Sequence, residues 1–162
     1  MDALSWRHDL RPGDLGRVTE LHGVLYAEEF GYSYEFEAYV AESLGEFGKR
    51  YDADRDRLWS VELNDRLVGC VGILGREGDV AQLRWFLVHP DARGHGLGRR
   101  LLDEALSFCR ARGNGSVYLW TVTGLDASAR LYTEAGFRLT EQAPFTDLWG
   151  VHLAEQRYDL TL

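Results

Sequence analysis

The chain has 162 residues, 45% of them hydrophobic, with only three prolines and a formal net charge of −8. That length suits a single domain over residues 1–162 with its own core, and the apolar content excludes wholesale disorder. No apolar run approaches the ~20 residues of a membrane span, and the acidic balance argues against nucleic acid or an anionic membrane surface as partner.

The opening "MDALSWRHDLRPGD" carries no charged-then-apolar export pattern, so a cytoplasmic location is expected. Cys70 and Cys109 form no CxxC pair and read as reduced and buried. The five histidines are scattered without ligand spacing, so no metal is expected.

A short strand is expected around residues 4–10, then a helix near 15–28 capped by Asp14, with Leu15, Val18, Leu21, Val24 and Leu25 at helical spacing. A second helix is expected over 34–50, where Phe36, Tyr39, Val40, Leu44 and Phe47 share a face. From Val18 to Gly48 there are seven glutamates and no lysine or arginine, interleaved with Tyr26, Phe30, Tyr32, Tyr34, Phe36, Tyr39 and Phe47. Two readings stand: solvated acidic faces of amphipathic helices, or a cleft lined for a cationic substrate.

"DADRDR" (52–57) is a charged turn, after which the period changes. Val61 and Leu63, then Leu67, Val68 and Val71, flank Asn64–Asp65, which is hairpin chemistry. A second turn at Gly75–Gly78 leads to a strand at 80–88. A helix over about 96–112 follows, then a near-continuously apolar strand at 116–122, as in a buried parallel neighbour. "DASARLYTEAGF" is a short helix with Asp126 as N-cap and Gly136 as its stop. "RLTEQAP" and "VHLAEQRYDLTL" are expected as the last two strands. The order predicts a mixed α/β fold.

Between the strand at 80–88 and the next helix lies "LVHPDARGHGLGRRLL". A strand that enters a glycine-rich turn and opens a helix is suited to an anion, because free N–H groups and the helix dipole converge there. Gly94, Gly96 and Gly98 remove Cβ atoms from the approach, and Arg93, Arg99 and Arg100 add charge. A Walker loop would need Gly-Lys-Ser/Thr where the sequence reads Gly98-Arg99-Arg100. A dinucleotide fingerprint would need glycine at 99 or 101 and finds Arg99 or Leu101.

Arg93, Gly96 and Gly98 satisfy Arg-x-x-Gly-x-Gly, preceded by Leu87-Val88-His89-Pro90 and followed by Leu131-Tyr132-x-x-x-Gly136-Phe137. Over about 58–138 this resembles the GCN5-related N-acetyltransferase (GNAT) family. The acidic helix pair and "LWT" (119–121) are also similar to acetyltransferase modules fused to winged-helix regulators of the MarR type. The resemblance implies a mostly antiparallel sheet of six to seven strands with a splayed parallel pair and about four flanking helices.

It further implies acetyl-CoA as cosubstrate. Its pyrophosphate would lie on the amides of Arg93, Gly94, His95, Gly96, Leu97, Gly98 and Arg99, and its pantetheine arm along Phe86, Leu87 and Val88. An N–H in the Leu87 region is expected to face the thioester carbonyl. Tyr132 matches the family's catalytic acid. The family's bases do not carry over: Gln82 and Trp120 stand where its branches have Glu, and Leu125 stands where an Asn is often found at the entry to the Tyr-bearing helix. Glu28, Glu29, Glu35 and His22 remain as base candidates.

The implied function is transfer of an acetyl group to a primary amine of a small molecule or peptide, with a non-catalytic acyl-CoA-binding sensor as the alternative. The acceptor pocket is expected between the two N-terminal helices and the last strands, including Phe145, Trp149 and His152. The family also implies a homodimer through a sheet edge near 150–162.

Overall fold

The computed structural model describes residues 3–162. Strand β1 (Ser5–Arg7) precedes two helices, α1 (Asp14–Phe30) and α2 (Tyr34–Lys49). A meander of β2 (Arg57–Leu63), β3 (Arg66–Gly75) and β4 (Val80–Val88) follows, and then α3 (Leu97–Ala111). The rest comprises β5 (Ser116–Val122), α4 (Asp126–Glu134), β6 (Arg138–Gln142), β7 (Thr146–Leu148), β8 (Val151–Leu153) and β9 (Glu155–Thr161). Seven strands form one sheet in the order β1-β2-β3-β4-β5-β9-β6, and β7 pairs only with β8.

The expected opening strand shrinks to three residues. The stretch expected as one final strand divides into β8 and β9, and the residues ahead of it form β7. A two-residue turn at Trp149–Gly150, with φ of 53° and 78°, folds β7 back on β8. Trp-Gly is not among the usual hairpin signals, so this element was not legible beforehand. The Asn64–Asp65 hairpin does form as read, with φ of 52° and 62° and Leu63 opposite Arg66.

Helices cover both faces of the sheet. On one face α3 lays Leu97, Leu101, Leu102, Ala105 and Cys109 against Val61, Val68, Val71 and Ile73. On the other, α1 and α2 pack Val18, Leu25, Phe36, Val40, Leu44 and Phe47 over Leu58, Cys70, Leu74 and Leu87. With both faces covered, β3 is buried from Leu67 to Leu74 and shows no polar alternation although it is antiparallel. Among the described residues, no helix is long and apolar enough to cross a membrane.

Both expected aspartate caps move by one position. Asp126 lies in the first turn of α4, with Leu125 as the N-cap residue. Gly13 is the N-cap of α1, and Asp14 is buried at 3% exposure. Asp14 accepts a bidentate pair from Arg7 at 2.7 and 2.8 Å, the Arg11 N–H at 2.7 Å and Arg17 at 2.8 Å. It ties β1 to α1.

Burial alone would raise the Asp14 carboxyl, but these donors outweigh it and hold it at about 2. The ordinary aspartate value is about 3.9, so the folded state contributes about 2–3 kcal/mol that is complete above that value. The contribution is lost as pH falls toward about 2. Asp14→Asn is expected to destabilise by about 2–4 kcal/mol at pH 7 and to flatten the acid limb of stability. Urea unfolding at pH 7, 4 and 2.5 measures both.

The feature that positions the site is a bulge in β4. Cys70 opposes Leu87 and Gly72 opposes Arg84, so β4 carries one residue more than β3 between the two pairs. The residue within it, Trp85, has φ of 51°. Its indole donates to Ser43 Oγ at 3.1 Å, and the Cys70 thiol donates to its carbonyl at 3.1 Å. Gly72 makes room for this ring, since a Cβ there would lie 2.5 Å from Trp85 Cε3. Gly72→Ala is expected to cost about 1–3 kcal/mol by overpacking, read in a thermal melt; an unchanged Tm would show that the indole can move aside.

Candidate active site

Strands β4 and β5 pair in parallel only at Val80–Gln82 with Ser116–Tyr118. Beyond Gln82 each strand is held on its outer side: β4 by β3, and β5 by β9 along its whole length. The pair therefore opens as a fork with Gln82 at its apex. The fork separates two cavities that share Tyr26, Phe86, Leu125 and Ser128.

The larger cavity, about 710 Å³, runs from Phe86, Leu87 and Val88 to the start of α3, with Leu125, Ser128 and Leu131 opposite. It is lined by Arg93, Gly94, Gly96, Leu97, Gly98 and Arg99 as well, but not by His95, whose side chain is exposed. Outside the helices' own ladders and among the described residues, no protein acceptor takes a hydrogen bond from the N–H groups of residues 94–99. The first amide to close is that of Arg100, onto the Gly96 carbonyl at 3.0 Å. Gly96, the N-cap of α3, has φ of 76°, and a Cβ built there meets nothing within 4 Å.

Arg93 and Arg99, the loop arginines that line the larger cavity, do not supply free charge, contrary to expectation. Arg93 donates to both carboxylate oxygens of Glu29 at 2.8 and 3.0 Å and through Nε to the Val88 carbonyl at 2.9 Å. It thereby pins the end of α1 to the end of β4 beside the larger cavity. Arg99 pairs with Glu134, and the Arg100 guanidinium lies 4.2 Å from the Trp6 ring centroid. With both arginines that line the larger cavity paired, what the turn offers an anion is main-chain dipoles and the α3 N-terminus.

Within the Leu87 region, the donor on the open side is not the N–H of Leu87 itself. Leu87 N–H is directed at the Cys70 sulfur, on the β3 side. The Trp85 carbonyl also faces β3, where it accepts from Cys70. A trans peptide sets C=O and N–H on opposite sides, so the Phe86 N–H faces the open fork. The bulge exchanges the two orientations, and no sequence pattern announced a bulge at that residue.

The smaller cavity, about 310 Å³, lies on the other side of the fork. Its wall is aromatic: Tyr26, Tyr32, Phe36, Tyr39, Trp85 and Trp149. Trp149, held in its left-handed turn, stands 4.8 Å from Phe36 and 5.4 Å from Tyr32 by ring centroids, and its carbonyl accepts from the Ser33 N–H at 2.8 Å. Of the three residues expected from the last strands, only Trp149 lines the cavity. Phe145 and His152 stack on each other at 5.7 Å, away from it.

Tyr132 lines this cavity, buried at 5% exposure, its ring packed on Phe86, Phe137 and Tyr158. Its hydroxyl makes no hydrogen bond to any described residue. Burial pushes that hydroxyl well above the ordinary tyrosine value, so it stays protonated.

Of the four expected base candidates, Glu28 and Glu35 line neither cavity. Glu29 lines the larger one but is held by Arg93. His22 lines the smaller cavity, and its Nδ1 lies 2.8 Å from the Val18 carbonyl. A carbonyl only accepts, so Nδ1 carries the proton and Nε2 the lone pair. Burial pushes the imidazole down to about 4, and it is neutral at physiological pH. Among the polar lining residues, Arg84, Glu155 and Ser128 were not singled out beforehand; nothing in their local sequence marks them.

The glutamates of α1 and α2 do not converge on the aromatic wall, so the reading of a cleft lined by them for a cation loses its support. The carboxylate that does line it comes from β9.

A family profile described as acetyltransferase (GNAT) family matches residues 20–137. The chain belongs to that family. Among curated GNAT-type relatives, the uncharacterized N-acetyltransferase YjgM of Escherichia coli is 31% identical over 104 residues, 62% of this chain and 62% of its own length. N-acetyltransferase 8B of Rattus norvegicus is 30% identical over 126 residues, 71% of this chain and 56% of its own. The chain thus spans about three fifths of the length of these curated relatives. Among solved structures, yncA of Salmonella typhimurium, solved with its cofactor acetyl-CoA, superposes with a TM-score of 0.75 at 21% identity, covering 99% of this chain and 94% of that one. At that identity the likeness shows a shared GNAT fold.

Within the stretch 150–162 where the family's protomer edge is expected, β9 is paired on both sides by β5 and β6, while β8 pairs with β7 alone. The free edges of the main sheet are β1 and β6.

Proposed function

We propose that this chain is an acetyl-CoA-dependent N-acetyltransferase acting on a primary amine by direct attack. The observation that carries the reading is the run of unpaired amides over residues 94–99, placed at one end of a cavity that continues along an unpaired strand edge. The cradle fits a diphosphate: its amides are uncommitted, and the space beside Gly96 is open where a Cβ would stand. When bound, acetyl-CoA supplies the activated acyl thioester.

The chain's residues then have three tasks. The Phe86 N–H on the open fork stabilises negative charge as it grows on the thioester carbonyl. The Tyr132 hydroxyl meets the departing thiolate. Its raised pKa, against ~8.5 for a free thiol, makes it a hydrogen-bond donor that holds the thiolate more readily than it releases a proton. The aromatic wall orients the amine and excludes water from the smaller cavity.

The alternative, an acyl-CoA-binding sensor without turnover, draws support from Gln82, an amide where a branch of the family has its base. Two measurements decide. CoA, but not ATP or NAD, is expected to raise the Tm, and free thiol is expected to appear when acetyl-CoA is supplied with a panel of small primary amines and peptides. Protection by CoA without thiol release on any amine would favour the sensor; no protection by CoA would overturn both.

A further inference from the structure

The smaller cavity presents two side-chain donors from one strand. Gln82, on β4, is buried at 8% exposure. Its Oε1 is fully used, accepting from Arg76 Nε at 3.0 Å, Arg76 NH2 at 2.5 Å and the Tyr118 hydroxyl at 3.2 Å. The Gln82 amide is therefore fixed with its NH2 as the end left over, and that group has no partner among the described residues. Arg84 lies two residues on, on the same face of the strand. It donates to the Tyr39 hydroxyl at 3.0 Å and stands over the Trp85 ring at 5.1 Å, and no carboxylate of the described residues pairs with it. Both residues line the cavity, and Arg84 is its one arginine or lysine.

An NH2 with no protein acceptor, beside a guanidinium with no carboxylate partner, offers two donors that a ligand oxygen in the cavity can complete. Resting on the acetyltransferase reading above, we propose that the acceptor is a small amine that also bears a carboxylate, held by the Gln82 amide and the Arg84 guanidinium. Its apolar body lies against Phe36, Tyr39 and Trp149, and its amine is directed toward Phe86 and Tyr132.

Placement supports this. Gln82, Arg84 and Phe86 follow one another on β4, and all three line the cavity. Charge supports it as well. The cavity pairs one carboxylate, Glu155, with one guanidinium, Arg84, which suits a zwitterion better than a simple cation. The volume of about 310 Å³ is at the small end for small-molecule sites and suits a free amino acid better than a folded polypeptide.

The test compares phenylalanine, phenylalaninamide and phenethylamine as acceptors, which share a body and an amine and differ in the carboxylate. Thiol release is expected to favour phenylalanine at least tenfold in kcat/KM, and Arg84→Met is expected to narrow that ratio below threefold, mainly through KM. Equal or better use of phenethylamine, or a ratio untouched in Arg84→Met, would overturn the proposal while leaving the acetyltransferase reading intact. Calorimetric binding of N-acetylphenylalanine against N-acetylphenethylamine is independent of turnover. Preference for the former by at least tenfold, lost in Arg84→Met, supports the carboxylate site even in a chain without activity; equal binding overturns it.

Discussion

Gly96→Val is expected to abolish CoA binding, with at least a hundredfold loss of affinity in calorimetry and no CoA-dependent rise in Tm. Gly96 sits at φ of 76° at the N-cap of α3. A β-branched residue there is strained by about 1–2 kcal/mol, and its side chain occupies the space in front of the free amides. Because a Cβ at this position meets no protein atom within 4 Å, the substitution should not disturb the core. The stability loss is therefore modest and the binding loss large. Gly96→Ala, with the same φ but a smaller side chain, should fall between. Unchanged CoA affinity in the valine variant would mean that the diphosphate does not lie on this loop.

Tyr132→Phe is expected to lower kcat by about 10- to 1000-fold with little change in CoA affinity. The ring contacts with Phe86, Phe137 and Tyr158 survive the change, and no intramolecular hydrogen bond is lost with the hydroxyl. The folded state should be about as stable as the parent, since the hydroxyl lines a cavity and no hydrogen bond to a described residue is lost with it. Any loss of rate is then chemical rather than structural. Full activity in this variant would reduce Tyr132 to a packing residue.

The larger cavity was more legible in the sequence than the smaller one. Residues 86–99 are contiguous, and their chemistry is carried by main-chain amides whose geometry follows from a strand, three glycines and a helix start. Such a local pattern can be read along the chain. The orientation of individual amides could not, because the bulge at Trp85 swaps the facing of Phe86 and Leu87, and it depends on Cys70 and Gly72 across the sheet. The loop arginines were misread for a related reason. Arg93 looks free in sequence, and its partner Glu29 is 64 residues away.

The smaller cavity drew its walls from α1, α2, β4, β5, α4, the β7–β8 turn and β9. Trp149 enters it only because a left-handed Trp-Gly turn aims the indole inward, and Glu155 only because β9 returns beside β5. The glutamates that dominate α1 and α2 were the most conspicuous charges in the sequence, yet they turn away from it.

The sequence alone therefore determined the family, the order of the main elements and the glycine turn with its open amides, since each depends on neighbours within a few residues of one another. The tertiary structure alone decided which charges remain free, which amide faces the open fork and which groups line the smaller cavity. Those properties arise where segments distant in sequence are brought within hydrogen-bond distance, and only the packed chain sets such distances.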